Sequence, residues 1–188
     1  MYFKQRTINL FLIINILFGT TLLNASNYDD DTLNIFSKIL PRFIMMSSQK
    51  EKIKENIEIC ILNDNIDSLV ATSLINKVKN NYPNGIKNYN INFITSSYKS
   101  LNKCENTQLV FMFNSNKENI HNAFNLTNKY QILSMSYDEV LLKDGVNISL
   151  FIGRKVVPHL NMQSIKKSKI ELNNILLRVS KIYAGTEK

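Results

Sequence analysis

The chain of 188 residues is long enough for one domain with a substantial core, and its 44 % hydrophobic and 20 % charged residues are typical of a globular protein rather than a disordered one. Its 23 basic and 15 acidic residues give a formal net charge of +8. The basic residues are scattered without interleaved aromatic residues, and the densest cluster, Lys166, Lys167 and Lys169, is typical of a solvated helix face, so we expect no nucleic-acid partner.

The N-terminal segment is predicted to be an export signal. A short basic start precedes an apolar run from Ile8 to Leu23, and small residues follow from Ala25. The run has about 16 residues, fewer than the roughly 20 that span a bilayer. We expect a cleaved signal peptide over residues 1–25, export to the periplasm and a single domain over residues 27–188. An uncleaved N-terminal anchor in the inner membrane is the alternative.

The two cysteines, Cys60 and Cys104, are interpreted together with export. An oxidising compartment favours a disulfide between them, and two free buried thiols are the alternative. A zinc site is disfavoured because the only histidines, His121 and His159, do not lie at ligand spacing from the cysteines. We therefore expect a disulfide and no metal.

The first half of the mature chain predicts alternating helices and strands. A helix is expected over residues 31–47, followed by a buried strand over residues 57–62. The turn after this strand opens a second helix with an apolar face, formed by Ile66, Leu69, Val70, Leu74 and Val78.

The pattern continues through the middle of the chain. A second strand includes Ile91, Phe93 and Thr95, and a continuously apolar third strand covers residues 109–113. Ser115 and Glu118 have the spacing of a capping box, which predicts a helix from there to about Tyr130. A fourth strand is expected over residues 132–135.

The pattern changes in the last third. Residues 146–152 alternate, Gly153 and Arg154 turn, and residues 155–161 return, which predicts a β-hairpin whose second strand is at an edge or bulged because it contains Pro158. The predicted fold class is α/β: a mostly parallel central sheet flanked by helices, with a C-terminal antiparallel hairpin and a closing helix. The expected inward face of that helix is Ile175, Leu176, Val179, Ile182 and Tyr183.

Motifs of enzymatic chemistry are absent from the sequence. No glycine-rich phosphate loop follows the first strand, and no serine lies in a nucleophile elbow. His159 and the acids Asp138, Glu139 and Asp144 could supply a general base, but an exposed strand histidine and a solvated turn explain them more simply. We expect neither catalysis nor a cofactor.

The segment from residue 132 to residue 162 resembles the YfiR family of periplasmic regulatory proteins. Ser134-Met-Ser136 is similar to the family's serine-rich turn, Gly145 to the second residue of its glycine pair, and Asn161-Met162 to the Asn-Leu after its hairpin. Asp144 stands where the family has the first glycine. The resemblance also implies the pairing of Cys60 with Cys104.

The resemblance implies a regulator without chemistry of its own. Such a protein contacts the periplasmic part of an inner-membrane diguanylate cyclase or sensor kinase, and a homodimer is the assembly that the family suggests. The alternative is a small-molecule-binding sensor subunit. In either case the expected ligand- or partner-binding residues are Ser134, Ser136, Gly145 and Asn161, since ligands of open α/β sheets bind at strand ends. Ordinary turn and cap hydrogen bonding is the competing explanation for these polar residues.

Overall fold

The computed structural model describes residues 28–183, so the predicted signal peptide over residues 1–25 lies outside the described part. The α-helices are α1 (Asp30–Met45), α2 (Ser68–Asn81), α3 (Lys117–Tyr130), α4 (Met162–Lys167) and α5 (Asn174–Val179). The strands are β1 (Asn56–Leu62), β2 (Asn90–Ser96), β3 (Leu109–Met112), β4 (Leu133–Ser136), β5 (Ile148–Ile152), β6 (Val156–Leu160) and β7 (Lys181–Ile182). Short 3-10 helices cover Ser48–Lys52, Asn65–Asp67, Tyr98–Cys104 and Glu139–Asp144.

All the strands belong to one sheet, in the order β2-β1-β3-β4-β5-β6-β7. Pairing is parallel from β2 to β5, antiparallel between β5 and β6, and parallel again between β6 and β7. The predicted α/β fold with a mostly parallel sheet and an antiparallel hairpin is thus confirmed. β7 pairs with the outer edge of β6 only at His159 and Leu160. Pro158 therefore lies on an unpaired part of that edge, where its missing backbone N–H costs no hydrogen bond between strands.

The interior strand β1 is buried on both faces because helices cover both sides of the sheet. Ile57, Ile59 and Ile61 belong to one apolar core, to which α1 and α2 contribute their buried faces. Cys60 and Leu62 point to the opposite core, which is closed by α3 and the 3-10 helix over Tyr98–Cys104. The run of consecutive apolar residues in β1 follows from this two-sided burial.

The predicted apolar face of the second helix is wrong at its beginning. Ile66 and Leu69 are exposed, Leu69 by 83 %, whereas Ala71, Leu74 and Val78 are buried. Ile66 lies in a 3-10 turn before α2, and Leu69 lies two residues, about 200°, away from Ala71 around the helix. The buried stripe therefore starts at Ala71.

The predicted closing helix is also wrong. The chain instead forms α4, the six-residue α5 and the two-residue β7, and only Leu176 of the five expected inward residues is buried. Asn173 caps α5, and Ser180 has extended backbone that ends it. Ile182 consequently lies in a strand, where it is 71 % exposed.

The third helix begins one residue later than the capping-box pattern predicts. The side chain of Asn116, not Ser115, accepts the hydrogen bond of the Asn119 N–H. Ser115 Oγ instead donates to Asp64 Oδ2 over 2.7 Å, and so ties the loop after β3 to the loop after β1. Across residues 28–183, none of the helices has the length and hydropathy of a transmembrane span.

Candidate ligand- and partner-binding site

Ser134 and Ser136, two of the predicted binding residues, are completely buried in β4. Ser136 Oγ donates to the Asp138 carbonyl over 2.8 Å, and the Ser136 carbonyl accepts from Ser149 Oγ over 3.0 Å. Because no surface of either side chain reaches solvent, the structure places both behind the molecular surface, where their hydrogen bonds hold β4, β5 and the following turn together.

Asn147 is the centre of the polar network to which Ser134 belongs. The buried Asn147 Oδ1 accepts from both the N–H and the Oγ of Ser134, each over 2.9 Å. Asn147 Nδ2 donates to Ser164 Oγ over 2.9 Å and to Ser168 Oγ over 3.4 Å. Ser168 Oγ also donates to Asn128 Oδ1 over 2.6 Å. The network therefore joins β4, α4 and α3 through one asparagine.

Gly145 and Asn161 lie in front of this network and are partly accessible. Gly145 has φ +103°, and a Cβ there would lie 2.7 Å from the ring of Phe124 on α3. Only glycine combines this backbone with this close approach. Asn161 caps α4 by accepting from the Ser164 N–H, and its Nδ2 donates to the Leu142 carbonyl over 2.7 Å. Both residues fix the position of a surface cleft.

The cleft has a volume of about 400 Å³ and lies between α3, the 3-10 helix over Glu139–Asp144 and α4. Its walls carry three lysines, a histidine, an aromatic ring and one acid: Lys117, Lys143, Lys167, His121, Phe124 and Asp144. Gly145, Asn161 and Ser164 complete its base. We call it the cationic cleft. It brings together Gly145 and Asn161 from the predicted set, with Ser134 behind it.

The disulfide joins Cys60 of β1 to Cys104 at the end of a 3-10 helix. Their Cα atoms are 5.5 Å apart, and both side chains are completely buried. The bond links β1, which lies between β2 and β3 in the sheet, to the segment that leads into β3.

Tyr28 fills the crevice where ligands of open α/β sheets usually bind. β2 and β3 lie on opposite sides of β1, so the strand order reverses there and a crevice opens at the carboxyl ends of β1 and β3. The Tyr28 ring packs edge-to-face on Phe113 and Tyr137, with centroids 4.8 and 4.7 Å away. Its hydroxyl donates to Asp67 and accepts from the Asn114 N–H. Burial raises the pKa of Tyr28 above the ordinary tyrosine value.

His159 is not the exposed strand histidine that the simpler interpretation expects. Its Nδ1 contacts the Glu139 carboxylate, its ring stacks on Phe151, and its Nε2 is buried without a hydrogen-bond partner among residues 28–183. Asp138 instead caps the 3-10 helix, and Asp144 lines the cationic cleft. Of the three acids that cluster in sequence, only Glu139 contacts His159, whereas Asp138 and Asp144 line a common cavity of about 410 Å³.

Large apolar side chains are exposed in the C-terminal part of the chain, on α5 and β7. Ile175 and Val179, one turn apart on α5, are exposed together with Ile182 of β7. We call these three residues the C-terminal apolar surface. Phe151, Val156 and Leu177 are further exposed apolar residues of the same part of the chain.

Sequence reasoning missed two features of the site. Asn147 follows an apolar residue at the start of a predicted strand, and a polar residue inside such a buried run signals a hydrogen-bond partner. Lys117, Lys143 and Lys167 are far apart in sequence, and only the packing of α3 and α4 brings them to one cleft. No local pattern identifies them.

Comparison with solved structures shows the fold. A conserved domain protein from Vibrio cholerae matches with a TM-score of 0.57 and 9 % identity over 80 % of this chain and 59 % of the other. An ABC domain in complex with L-Trp from Streptococcus pneumonia gives 0.55 and 7 %, covering 78 % of this chain and 59 % of that one. A ligand-free, open substrate-binding protein with adhesive properties from Clostridium difficile gives 0.54 and 6 %, covering 77 % and 57 %. The chain thus spans less than two thirds of each of these proteins.

Comparison of the sequence with family models gives a match over most of the chain. The model described as YfiR/HmsC-like matches residues 36–181, from the first buried turn of α1 to β7. No curated protein matches the sequence.

Proposed function

The chain belongs to the YfiR/HmsC-like family, and from this premise we propose that it is an exported periplasmic regulator of an inner-membrane signalling protein. The partner is a diguanylate cyclase or a sensor kinase, which the protein controls by contact with the partner's periplasmic part. The observation that carries the proposal is the family match over residues 36–181. The protein performs no catalysis and needs no cofactor in this role.

The C-terminal apolar surface supports a contact function. The spacing of Ile175 and Val179 is that of a helix face made for burial, yet both side chains are exposed. Exposed apolar residues that cluster on one element are typical of protein interfaces. We propose that the periplasmic part of the membrane partner covers this surface.

Control by contact requires no chemistry, only a difference in affinity. A regulator that binds the inactive conformation of its partner more tightly than the active one shifts the partner toward inactivity. About 1.4 kcal/mol of differential affinity changes the ratio of the two conformations tenfold. A homodimer would present the surface twice.

A photo-crosslinking amino acid at position 175 tests the proposal in living cells. We expect it to capture a membrane protein that carries a cyclase or kinase domain, identified by mass spectrometry. The same crosslinker at position 69, an equally exposed apolar site on α2, is the matched control and should give no such adduct. Failure to capture a signalling protein from position 175, or adducts only between two copies of this chain, would contradict the proposal.

A further inference from the structure

The cationic cleft has an unbalanced charge. Lys117, Lys143 and Lys167 line it against one acid, Asp144. Within residues 28–183, no carboxylate forms an ion pair with any of these three lysines. Lys167 Nζ lies over the face of the Phe124 ring, 5.0 Å from its centroid, and forms no ion pair among the described residues. Three lysines against one carboxylate leave a surplus of positive charge around the cavity, and such a surplus attracts an anion.

The position of Lys117 also favours anion binding in the cationic cleft. It is the first residue of α3, where the helix dipole disfavours a positive side chain. Its place there does not help the helix, but it adds a cation to the cleft. A neighbouring cavity of about 410 Å³ shares Lys117, Lys143 and Asp144 with the cationic cleft, but it is also lined by Asp138. Its two lysines therefore face two acids, and the surplus of positive charge belongs to the cationic cleft alone.

The walls that carry the lysines are held rigidly. The ring of Phe124 leaves no room for a side chain at Gly145, and Ser164 Oγ donates to the Gly145 carbonyl. Asn147, behind Ser164, connects this wall to β4 and to α4. A site whose framework is fixed before binding loses less entropy when the ligand arrives.

Another cavity of the described residues differs from the cationic cleft in its charge. It has a volume of about 550 Å³ at the amino ends of β1 and β3, but its walls carry three glutamates beside two lysines. One of these lysines, Lys52, already donates to the backbone carbonyls of Tyr130 and Gln131. A large cavity without a surplus of unpaired cations does not favour the binding of an anion.

We propose that the cationic cleft binds a small polyvalent anion whose oxygens are carried by phosphate or carboxylate groups. The three lysines neutralise its charge, and its volume lies within the usual range for small ligands, roughly 300–1,000 Å³. This binding goes beyond the proposed regulation and does not depend on it, because it requires no membrane partner.

Titration calorimetry of the purified protein with pyrophosphate, and separately with citrate, tests the proposal. We expect saturable binding that weakens as sodium chloride is added. Lys143→Glu should weaken it by about tenfold or more, since it replaces attraction with repulsion at the cleft. Lys143→Gln should weaken it less. Lys54→Glu makes the same charge change on an exposed lysine of the other cavity and should alter affinity by less than about twofold.

A vesicle arm distinguishes a free anion from a lipid headgroup. Sedimentation with phosphatidylglycerol vesicles, and with phosphatidylcholine vesicles as the neutral reference, measures surface binding. The proposal is overturned if neither pyrophosphate nor citrate binds at millimolar concentration, if only the anionic vesicles bind, or if Lys54→Glu weakens binding as much as Lys143→Glu. Circular dichroism melts confirm that each variant is folded. None of these results bears on capture of a membrane partner from position 175.

Discussion

At the scale of single residues, some polar side chains near the strand ends are buried and hold neighbouring elements together, whereas others line the surface of the cationic cleft. The sequence places Ser134, Ser136, Gly145 and Asn161 near a functional edge, and the structure puts the two serines inside and the other two at the cleft. Short motifs reveal which residues are unusual, but not their burial. Burial depends on which distant segment packs in front, as α4 does here.

Asn147→Ala tests whether this network stabilises the fold. The substitution removes the acceptor of the Ser134 N–H and the donor to Ser164, and a buried polar group without a partner costs about 1–3 kcal/mol. We expect the free energy of unfolding to fall by about 3 kcal/mol in urea denaturation. Asn122→Ala, at an exposed position of α3, should change it by less than about 0.5 kcal/mol. Equal stability of the two variants would show that the network does not stabilise the fold.

At the scale of secondary structure elements, the strands and the first helices could be predicted because their hydrophobic patterns are long. Continuous apolar runs indicate strands buried on both faces, and apolar residues at helical spacing indicate helices buried on one face. The observed bounds of β1, β3 and the hairpin strands differ from the predicted ones by at most two residues at any end. The closing segment could not be predicted in this way. Its apolar residues have helical spacing, but Asn173 and Ser180 limit the helix to six residues, and among residues 28–183 Ile175 and Val179 stay exposed.

The disulfide connects two such elements and gives the second prediction on stability. Its cysteines are 44 residues apart, and closing a loop of that length in the unfolded chain contributes about 4 kcal/mol in the chain-entropy model. We expect dithiothreitol to lower the free energy of unfolding by about this amount, and so to shift the urea midpoint to a lower concentration. A Cys60→Ala/Cys104→Ala variant should unfold at the lower midpoint with or without reductant. A midpoint that reduction does not move would contradict the stabilising role.

At the scale of the whole molecule, three surfaces lie on different parts of one sheet. Tyr28 packs at the carboxyl ends of β1 and β3, the cationic cleft lies between α3 and α4, and the C-terminal apolar surface is carried by α5 and the edge strand β7. The sheet order was predictable in outline from strand–helix alternation. The packing of Tyr28 into the crevice could not be predicted, because this residue ahead of α1 contacts Asp67 and Asn114, which follow it by 39 and 86 residues.

The packing of Tyr28 bears on where the predicted signal peptide would be cleaved. Its ring contacts Phe113 and Tyr137, and the adjacent Asp29 caps α1 by accepting from the Thr32 N–H. Each aromatic pair contributes about 0.5–1.5 kcal/mol beyond its buried area, so a cut beyond Tyr28 would sacrifice the cluster and the cap together. We therefore expect the intact mass of the protein recovered from the periplasm to correspond to a chain that begins near Ser26 and retains Tyr28. Protein made without export provides the reference mass that includes Met1. A periplasmic mass that includes Met1 would indicate an uncleaved anchor, and one that lacks Tyr28 would show that the aromatic cluster is dispensable for the folded protein.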